Sequence, residues 1–127
     1  NEEGFSKNKV VTYQLPEKFR QHYFYMEGTW KNNNDGMKLI SDPGKIVLNF
    51  NAKQVNIVAS ENAVLKIEYD GGQIPEQVRG QDVSSDSTVK ISEPRLYNLI
   101  DSEQEGPHEI IIQVESPGFE IFTFTFG

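Results

Sequence analysis

The chain contains no cysteine among its 127 residues. This excludes a disulfide framework, a thiolate metal site, and any cysteine-based redox or nucleophilic chemistry in this segment. A chain of this length buries about two-thirds of its unfolded surface, so a hydrophobic core can hold the fold without cross-links. The absence of cysteine does not identify a compartment, because many extracytoplasmic domains also lack it.

Basic residues and long apolar runs are also scarce. Twelve Lys and Arg stand against 19 Asp and Glu, which leaves a net charge of −7. We therefore expect no nucleic-acid partner, since neutralising phosphates requires clustered Lys and Arg. No apolar run approaches the roughly 18 residues of a membrane span, so we expect no membrane insertion by this segment. The chain begins at Asn1 rather than Met, which suggests a piece of a longer protein.

Residues with catalytic potential are few. Only His22 and His108 are present, and neither lies in a nucleophile motif such as G-x-S-x-G. We expect both histidines to be structural or solvent-exposed. The 19 acids could supply the carboxylate pair of a glycosidase, but none stands out from the exposed faces of strands. We therefore expect no catalytic residue, no metal, no cofactor and no enzyme activity in this segment.

Alternating apolar residues dominate from residue 45 onward. KIVLNFNA places Ile46, Leu48 and Phe50 on one face, a period typical of a half-buried strand. Turn signals separate such runs at residues 42–44 (DPG), 70–72 (DGG) and 116–118 (SPG). No helix of useful length is indicated, although residues 16–26 fit either a short helix or an incoming strand. The pattern predicts an all-β antiparallel sandwich or barrel.

Two oxygen-rich or aromatic features invite a functional interpretation. Residues 32–36 (NNNDG) suggest calcium, but Asp35 is their only acid, and the segment separates two strand-like pieces. A hairpin turn is the better interpretation, while a calcium site built from backbone carbonyls stays open. Trp30 falls on the same strand face as Phe24 and Met26, so we predict a structural tryptophan in the core.

The candidate ligand site combines Arg79 and Asp82, in the long polar loop 73–87, with Arg95 and Tyr97. Arg95 and Tyr97 stand two residues apart in EPRLYNLI and therefore share a strand face. A guanidinium beside an aromatic ring can recognise hydroxyls or a carboxylate. The alternative, which we favour, is a salt bridge from Arg95 to Asp82 or to Glu93 that ties the loop to the sheet.

The apolar residues of EPRLYNLI do not alternate strictly. Leu96, Tyr97, Leu99 and Ile100 break the period of two that a half-buried strand shows. This predicts either burial on both faces or a β-bulge near Tyr97. We expect Pro94 to mark the start of the strand.

The order of EGTW, KIVLNFNAKQVNIVAS, EYDGG, EPRLYNLI, GPHEIIIQVESPG and FTFTFG resembles a known domain. The domain that it resembles is the C-terminal domain of DipZ-like proteins, which are thioredoxin-family proteins linked to cytochrome c biogenesis. The resemblance covers roughly residues 20–127 and implies an antiparallel β-sandwich of jelly-roll type, similar to carbohydrate-binding modules. Residues 1–19 would then be a linker or arm from an upstream thioredoxin-like domain, which would carry the redox cysteines. The resemblance also implies an extracytoplasmic, periplasmic or cell-envelope, location.

Two functions follow as expectations. The first is a non-catalytic accessory domain of an extracytoplasmic thioredoxin-like thiol–disulfide protein, with carbohydrate as the ligand. In this function Arg79, Asp82 and Arg95 would bond sugar hydroxyls while the ring of Tyr97 packs on a sugar face. The second is an interaction or structural module that docks on the upstream thioredoxin-like domain or on its client. Fold similarity alone does not choose between them.

Overall fold

The computed structural model describes residues 10–14, 24–33, 35–41 and 43–127. Across these ranges the chain forms ten strands and a 3₁₀ turn at Glu76–Val78. All pairs of neighbouring strands are antiparallel. The strands are β1 (Val10–Tyr13), β2 (Phe24–Asn32), β3 (Met37–Leu39), β4 (Gly44–Asn51), β5 (Gln54–Ser60), β6 (Ala63–Tyr69), β7 (Thr88–Ile91), β8 (Arg95–Asp101), β9 (Pro107–Val114) and β10 (Glu120–Phe126).

The strands form two layers that share one strand. Sheet A contains β1, the second half of β2, β3, β10, β5 and β8. Sheet B contains the first half of β2, followed by β4, β9, β6 and β7. The predicted antiparallel sandwich of jelly-roll type is confirmed.

The switch of β2 between the sheets occurs at Gly28. Residues 24–27 pair with β4, whereas residues 28–31 pair with β1. Gly28 has a φ of 109°, and a Cβ there would lie 2.8 Å from the carbonyl oxygen of Pro43. Only glycine accepts both the positive φ and this close backbone approach. The indole Nε1 of Trp30 donates to the carbonyl of Glu27 at 3.0 Å and so links the two halves of the strand.

The core lies between the two sheets and follows the predicted faces. Ile46, Leu48 and Phe50 of β4 are each at most 1% exposed. Trp30 is fully buried, and its ring meets Phe119 edge-on with centroids 6.4 Å apart. The structural role predicted for Trp30 is therefore confirmed.

The described residues of NNNDG lie in the predicted hairpin turn between β2 and β3. The amide of Asn33 donates to the carbonyl of Gly36 at 2.9 Å, and Asn32 pairs with Met37. Asn34 lies outside the described residues. Within the described ranges, no group of three or more acidic, His or Cys residues is placed to hold a metal ion.

The N-terminal arm contributes a strand to the sandwich. The sequence predicts a linker or arm over residues 1–19. Within it, Val10–Tyr13 form β1, which pairs with residues 28–31 of β2. Tyr13 is 1% exposed and belongs to the core. Residues 1–9 and 15–23 lie outside the described ranges, as does His22. Of the segment 16–26, which fits a short helix or a strand, residues 24–26 begin β2.

A β-bulge interrupts β8 close to Tyr97, which is one of the two alternatives predicted for this strand. Val55 pairs with Ile100 and Asn56 with Asn98, so Leu99 is the extra residue on β8. Leu99 and Ile100 are consequently both buried, although they are consecutive. The strand itself begins at Arg95, directly after Pro94.

Candidate functional site

The middle of the long polar loop lies along the edge of β8. We call residues 79–83 the strap. Arg79 forms a β-bridge with Ile100, and the amide of Gly80 donates to the carbonyl of Leu99 at 2.9 Å. A Cβ at Gly80 would lie 2.3 Å from the carbonyl oxygen of Asn98, so glycine alone permits this approach. The strap therefore covers the outer edge of sheet A, which would otherwise expose unpaired backbone groups.

Arg95 brings the strap, the strand start and Tyr97 together. Its Nη2 lies 2.8 Å from Oδ1 of Asp82, and its Nη1 donates to the carbonyl of Leu96 at 2.8 Å. Its Nε lies 3.7 Å from a carboxylate oxygen of Glu93. Its guanidinium carbon sits 3.8 Å from the centroid of the Tyr97 ring. The two salt bridges of the bracing interpretation are thus both present.

Asp82 fastens the strap with both carboxylate oxygens. Oδ1 accepts a hydrogen bond from the guanidinium of Arg95, while Oδ2 accepts one from the backbone N–H of Asn98 at 2.7 Å. Partial burial acts to raise the pKa of Asp82, but the hydrogen bonds from Arg95 and Asn98 outweigh it and hold this pKa below the usual range. Asp82 is therefore a structural anion that joins two segments.

Tyr97 is fully buried and its hydroxyl is committed to the turn before β8. The hydroxyl donates to the carbonyl of Glu93 at 2.7 Å and accepts the amides of Ser92 at 3.1 Å and Glu93 at 3.2 Å. A sugar ring therefore has no access to the ring of Tyr97 in this arrangement. Arg79 is half-buried in the strap. The structure brings the four candidate residues to one edge, where ligand binding stays a prediction.

A second feature, the corner cleft, opens where β2 leaves sheet B for sheet A. Its volume is about 560 Å³. The divergence of β2 at Gly28 separates β1 from the end of sheet B and so creates the opening. The lining residues are Thr12, Tyr13, Gln14, Glu27, Gly28, Pro43, Gly44, Lys45, Gln113, Val114 and Glu115. Apolar atoms form much of its surface, and hydroxyl, amide, carboxylate and ammonium groups of several lining residues are set among them.

Three lining residues, Glu27, Lys45 and Gln113, form what we call the polar row. Glu27 lies directly opposite Lys45 on β2 and β4, and Lys45 lies opposite Gln113 on β4 and β9. Because directly paired residues of antiparallel strands share a face, the three side chains project from the same side of sheet B. The amide nitrogen of Gln113 donates to Glu68 at 3.0 Å, which orients its oxygen.

The sequence did not single out the polar row. Its members are 18 and 68 positions apart along the chain, and each alone looks like a solvated strand residue. A usable signal would have been the register of β2, β4 and β9, together with Gly28 as a corner. Neither can be read from one segment at a time.

His108 lies at the other end of sheet B in a small aromatic and ionic cluster. Its Nδ1 is 2.6 Å from Oδ2 of Asp70, and its ring stacks on Tyr69 with centroids 4.8 Å apart. The other carboxylate oxygen of Asp70 accepts the amide of Glu109 at 2.8 Å. Partial burial opposes the effect, but these hydrogen bonds lower the pKa of Asp70. His108 has the structural role and partial solvent exposure expected for it.

The family of the chain can now be stated. A family model described as the thioredoxin-like C-terminal domain matches residues 1–127. The chain belongs to this family. The expectation of a C-terminal β-sandwich domain from thioredoxin-like proteins is thereby confirmed, and the family match includes the arm that forms β1. The link to cytochrome c biogenesis stays a prediction.

Solved structures share the fold at low sequence identity. One is a family two carbohydrate esterase from Clostridium thermocellum in complex with cellohexaose, with a TM-score of 0.65 and 14% identity over 83% of this chain and 31% of that one. Another is an active site mutant of such an esterase from the same organism, with the same TM-score and identity over 84% and 32%. The domain thus spans about a third of their length, and the likeness concerns the fold alone.

No curated protein sequence matches the domain. In the part of the chain that the structure describes, no helix is long and apolar enough to cross a membrane.

Proposed function

We propose that this domain is a non-catalytic accessory module of an extracytoplasmic thioredoxin-like thiol–disulfide protein, and that it binds carbohydrate. The family supports the accessory role, because its members are C-terminal domains of thioredoxin-like proteins. The chain has no cysteine, so thiol–disulfide chemistry belongs to another part of such a protein. The resemblance to DipZ-like proteins supports the extracytoplasmic part of the proposal.

The corner cleft is the observation that carries carbohydrate binding. Its volume of about 560 Å³ lies within the range of about 300–1,000 Å³ typical of small-molecule sites. Sugar hydroxyls both donate and accept hydrogen bonds, so they require a lining with both kinds of group. Carboxylates, an ammonium, amides and a threonine hydroxyl supply both here. The carbohydrate esterase that shares this fold over 31% of its chain was solved with cellohexaose, which agrees with this ligand class.

Binding of the isolated domain to an array of glycans, followed by NMR titration, tests the proposal. We expect at least one saccharide to shift amide resonances of the domain at a defined surface without being cleaved. Absence of binding to every saccharide on the array would overturn the carbohydrate proposal. Turnover of a bound saccharide or ester would instead overturn the non-catalytic role.

Titration with a separately produced upstream thioredoxin-like domain adds a second arm. Binding to that domain with no binding to saccharides would replace carbohydrate recognition by docking. Binding to saccharides without affinity for that domain would support the proposal as stated. The two arms use the same labelled sample and are read from the same resonances.

A further inference from the structure

We infer that the polar row of Glu27, Lys45 and Gln113 is the ligand-contacting surface and that it takes a neutral saccharide. This inference rests on the proposed function and gives it a location and a ligand class. The strap, with Arg95 and Tyr97, then stabilises the edge of sheet A, while the ligand binds on sheet B at the corner cleft.

The first support is the spacing of the row. Its residues lie on three adjacent strands in direct register. Neighbouring strands are about 4.8 Å apart, so the row spans about 10 Å. Acceptor, donor and amide groups therefore follow one another across the floor of the cleft. A saccharide lying across the strands can meet them with successive hydroxyls.

The second support is rigidity. All three residues stand inside strands, and Gln113 is held by its hydrogen bond to Glu68. The strands fix the backbone positions of the three residues, so the row needs no backbone rearrangement to meet a ligand. The threonine at the cleft wall is also fixed, since the hydroxyls of Thr12 and Thr29 lie 2.6 Å apart.

The charge of the cleft selects the ligand class. The cleft is lined by Glu27, Glu115 and Lys45. Lys66 lies 3.8 Å from Glu115 and opposite Gln113, which is bonded to Glu68, so three carboxylates stand against two ammonium groups among the described residues around the row. The whole chain carries a net charge of −7. An acidic saccharide would meet net negative potential both at the cleft and at longer range. A neutral saccharide avoids this repulsion and can still form charge-assisted hydrogen bonds with Glu27 and Lys45.

The strap is a poorer place for the same ligand. Two nitrogens of the Arg95 guanidinium already form hydrogen bonds at 2.8 Å, and one face of it covers Tyr97. Tyr97 has no exposed surface for stacking. A ligand at this edge would have to break the contacts that close sheet A.

The experiment compares row variants with matched controls in NMR titrations. Glu27→Gln and Lys45→Met each remove one charge and keep the length of the side chain. The titrants are the neutral hexamers cellohexaose and N-acetylchitohexaose, any further neutral saccharide found on the array, and the anionic hexagalacturonate. Lys90→Met, on the exposed face of β7, is the matched lysine control. Asp82→Asn removes one negative charge, as Glu27→Gln does, but in the strap instead of the row.

We expect each row variant to weaken binding of the neutral saccharide about tenfold, the effect of losing one charge-assisted hydrogen bond. Lys90→Met and Asp82→Asn should change affinity less than twofold, and hexagalacturonate should not bind. Amides of Lys45 and Gln113 should shift most in the unmodified domain. Glu27 is exposed, so Glu27→Gln is informative even if Lys45→Met fails to fold.

Other results would separate the two proposals. Saccharide binding that row variants leave unchanged, or that Asp82→Asn abolishes, overturns the location while carbohydrate binding stands. Hexagalacturonate bound as tightly as the neutral hexamers overturns the ligand class. No saccharide bound by the unmodified domain overturns the proposed function and, with it, this inference.

Discussion

The strap predicts an asymmetry between the two partners of its salt bridge. Asp82→Ala removes two contacts, the guanidinium of Arg95 and the backbone N–H of Asn98. Arg95→Met removes the ion pair with Asp82, the contact with the Tyr97 ring and the solvent-exposed contacts with Glu93 and the Leu96 carbonyl, which compete with water and contribute little. It leaves the Asn98 amide bonded to Asp82. The acid should therefore matter more for stability than the base.

The magnitudes follow from the exposure of the two side chains. The Arg95 and Asp82 side chains are 42% and 22% exposed, so their ion pair contributes only about 0.2–1 kcal/mol. The part-buried Asn98 amide, left without an acceptor, costs about 1–3 kcal/mol. We expect Asp82→Ala to lower the free energy of unfolding by about 2–3 kcal/mol. Arg95→Met should lower it by about 1 kcal/mol, including a cation–π contribution of about 0.5–1 kcal/mol.

Thermal unfolding followed by circular dichroism measures the difference. For a domain of this size 1 kcal/mol corresponds to about 4 °C in Tm, so we expect losses of about 10 °C and about 4 °C. Hydrogen exchange provides a local readout, since the Asn98 amide should exchange faster in Asp82→Ala and be unchanged in Arg95→Met. A double variant should show a coupling energy below about 1 kcal/mol. If Arg95→Met cost as much as Asp82→Ala, the strap would be held by the ion pair, and the reasoning from the Asn98 amide would be refuted.

Three further perturbations test the corner, the turn and the ionic cluster. Gly28→Ala should lower the free energy of unfolding by more than about 2 kcal/mol in denaturant titration, because its Cβ meets the Pro43 carbonyl at a positive φ. Tyr97→Phe should cost about 1–3 kcal/mol, since the hydroxyl makes three hydrogen bonds to the turn before β8. Because the pKa of Asp70 is lowered in the folded domain, its carboxylate stabilises the fold at pH values above the ordinary pKa of 3.8. This stabilisation is lost as the pH falls through the pKa that Asp70 has in the folded domain. Asp70→Asn should therefore lower Tm at pH 6 and reduce the further loss of Tm between pH 6 and pH 3.

Two of these perturbations have a control variant within the chain, and each has an outcome that would contradict it. Gly72→Ala places a Cβ in open space and should be nearly neutral, so an equal loss at both glycines would contradict the role of the corner. An effect of Tyr97→Phe below about 0.5 kcal/mol would mean that water replaces its hydroxyl. Glu105→Gln, in an exposed loop, should leave the acid-side loss of Tm unchanged. If Tm fell equally between pH 6 and pH 3 in Asp70→Asn and in the unmodified domain, the contribution assigned to Asp70 would be wrong.

Local pattern was enough to predict the sandwich, because the relevant signals lie within a few residues. The alternation in β4 reports a strand with one buried face wherever that strand sits in the sheet. The irregular run Leu96 to Ile100 likewise predicted either burial on both faces or a bulge near Tyr97, and the structure has the bulge, at Leu99. The choice of Arg95 as a brace also came from local sequence, through the acids Glu93 and Asp82 that precede it.

The same reasoning was insufficient for the aromatic part of the candidate site. Tyr97 was expected to offer its ring to a ligand, and a tyrosine on a strand can face either solvent or core. Its burial depends on Arg95 covering one face and on the turn before β8 receiving its hydroxyl. Both contacts are set by the conformation of the turn, which the residue types do not specify.

The sequence by itself determined the all-β class, the positions of most turns, the core faces of the strands and the buried tryptophan. These depend on the period of side chains along one strand and on the backbone preferences of Gly, Pro and Asp. Only the tertiary structure decided which strands are neighbours, and therefore that Glu27, Lys45 and Gln113 form one row beside an open cleft. The reason is physical: cross-strand contacts depend on strand order and register, and here also on the passage of β2 from one sheet to the other at Gly28.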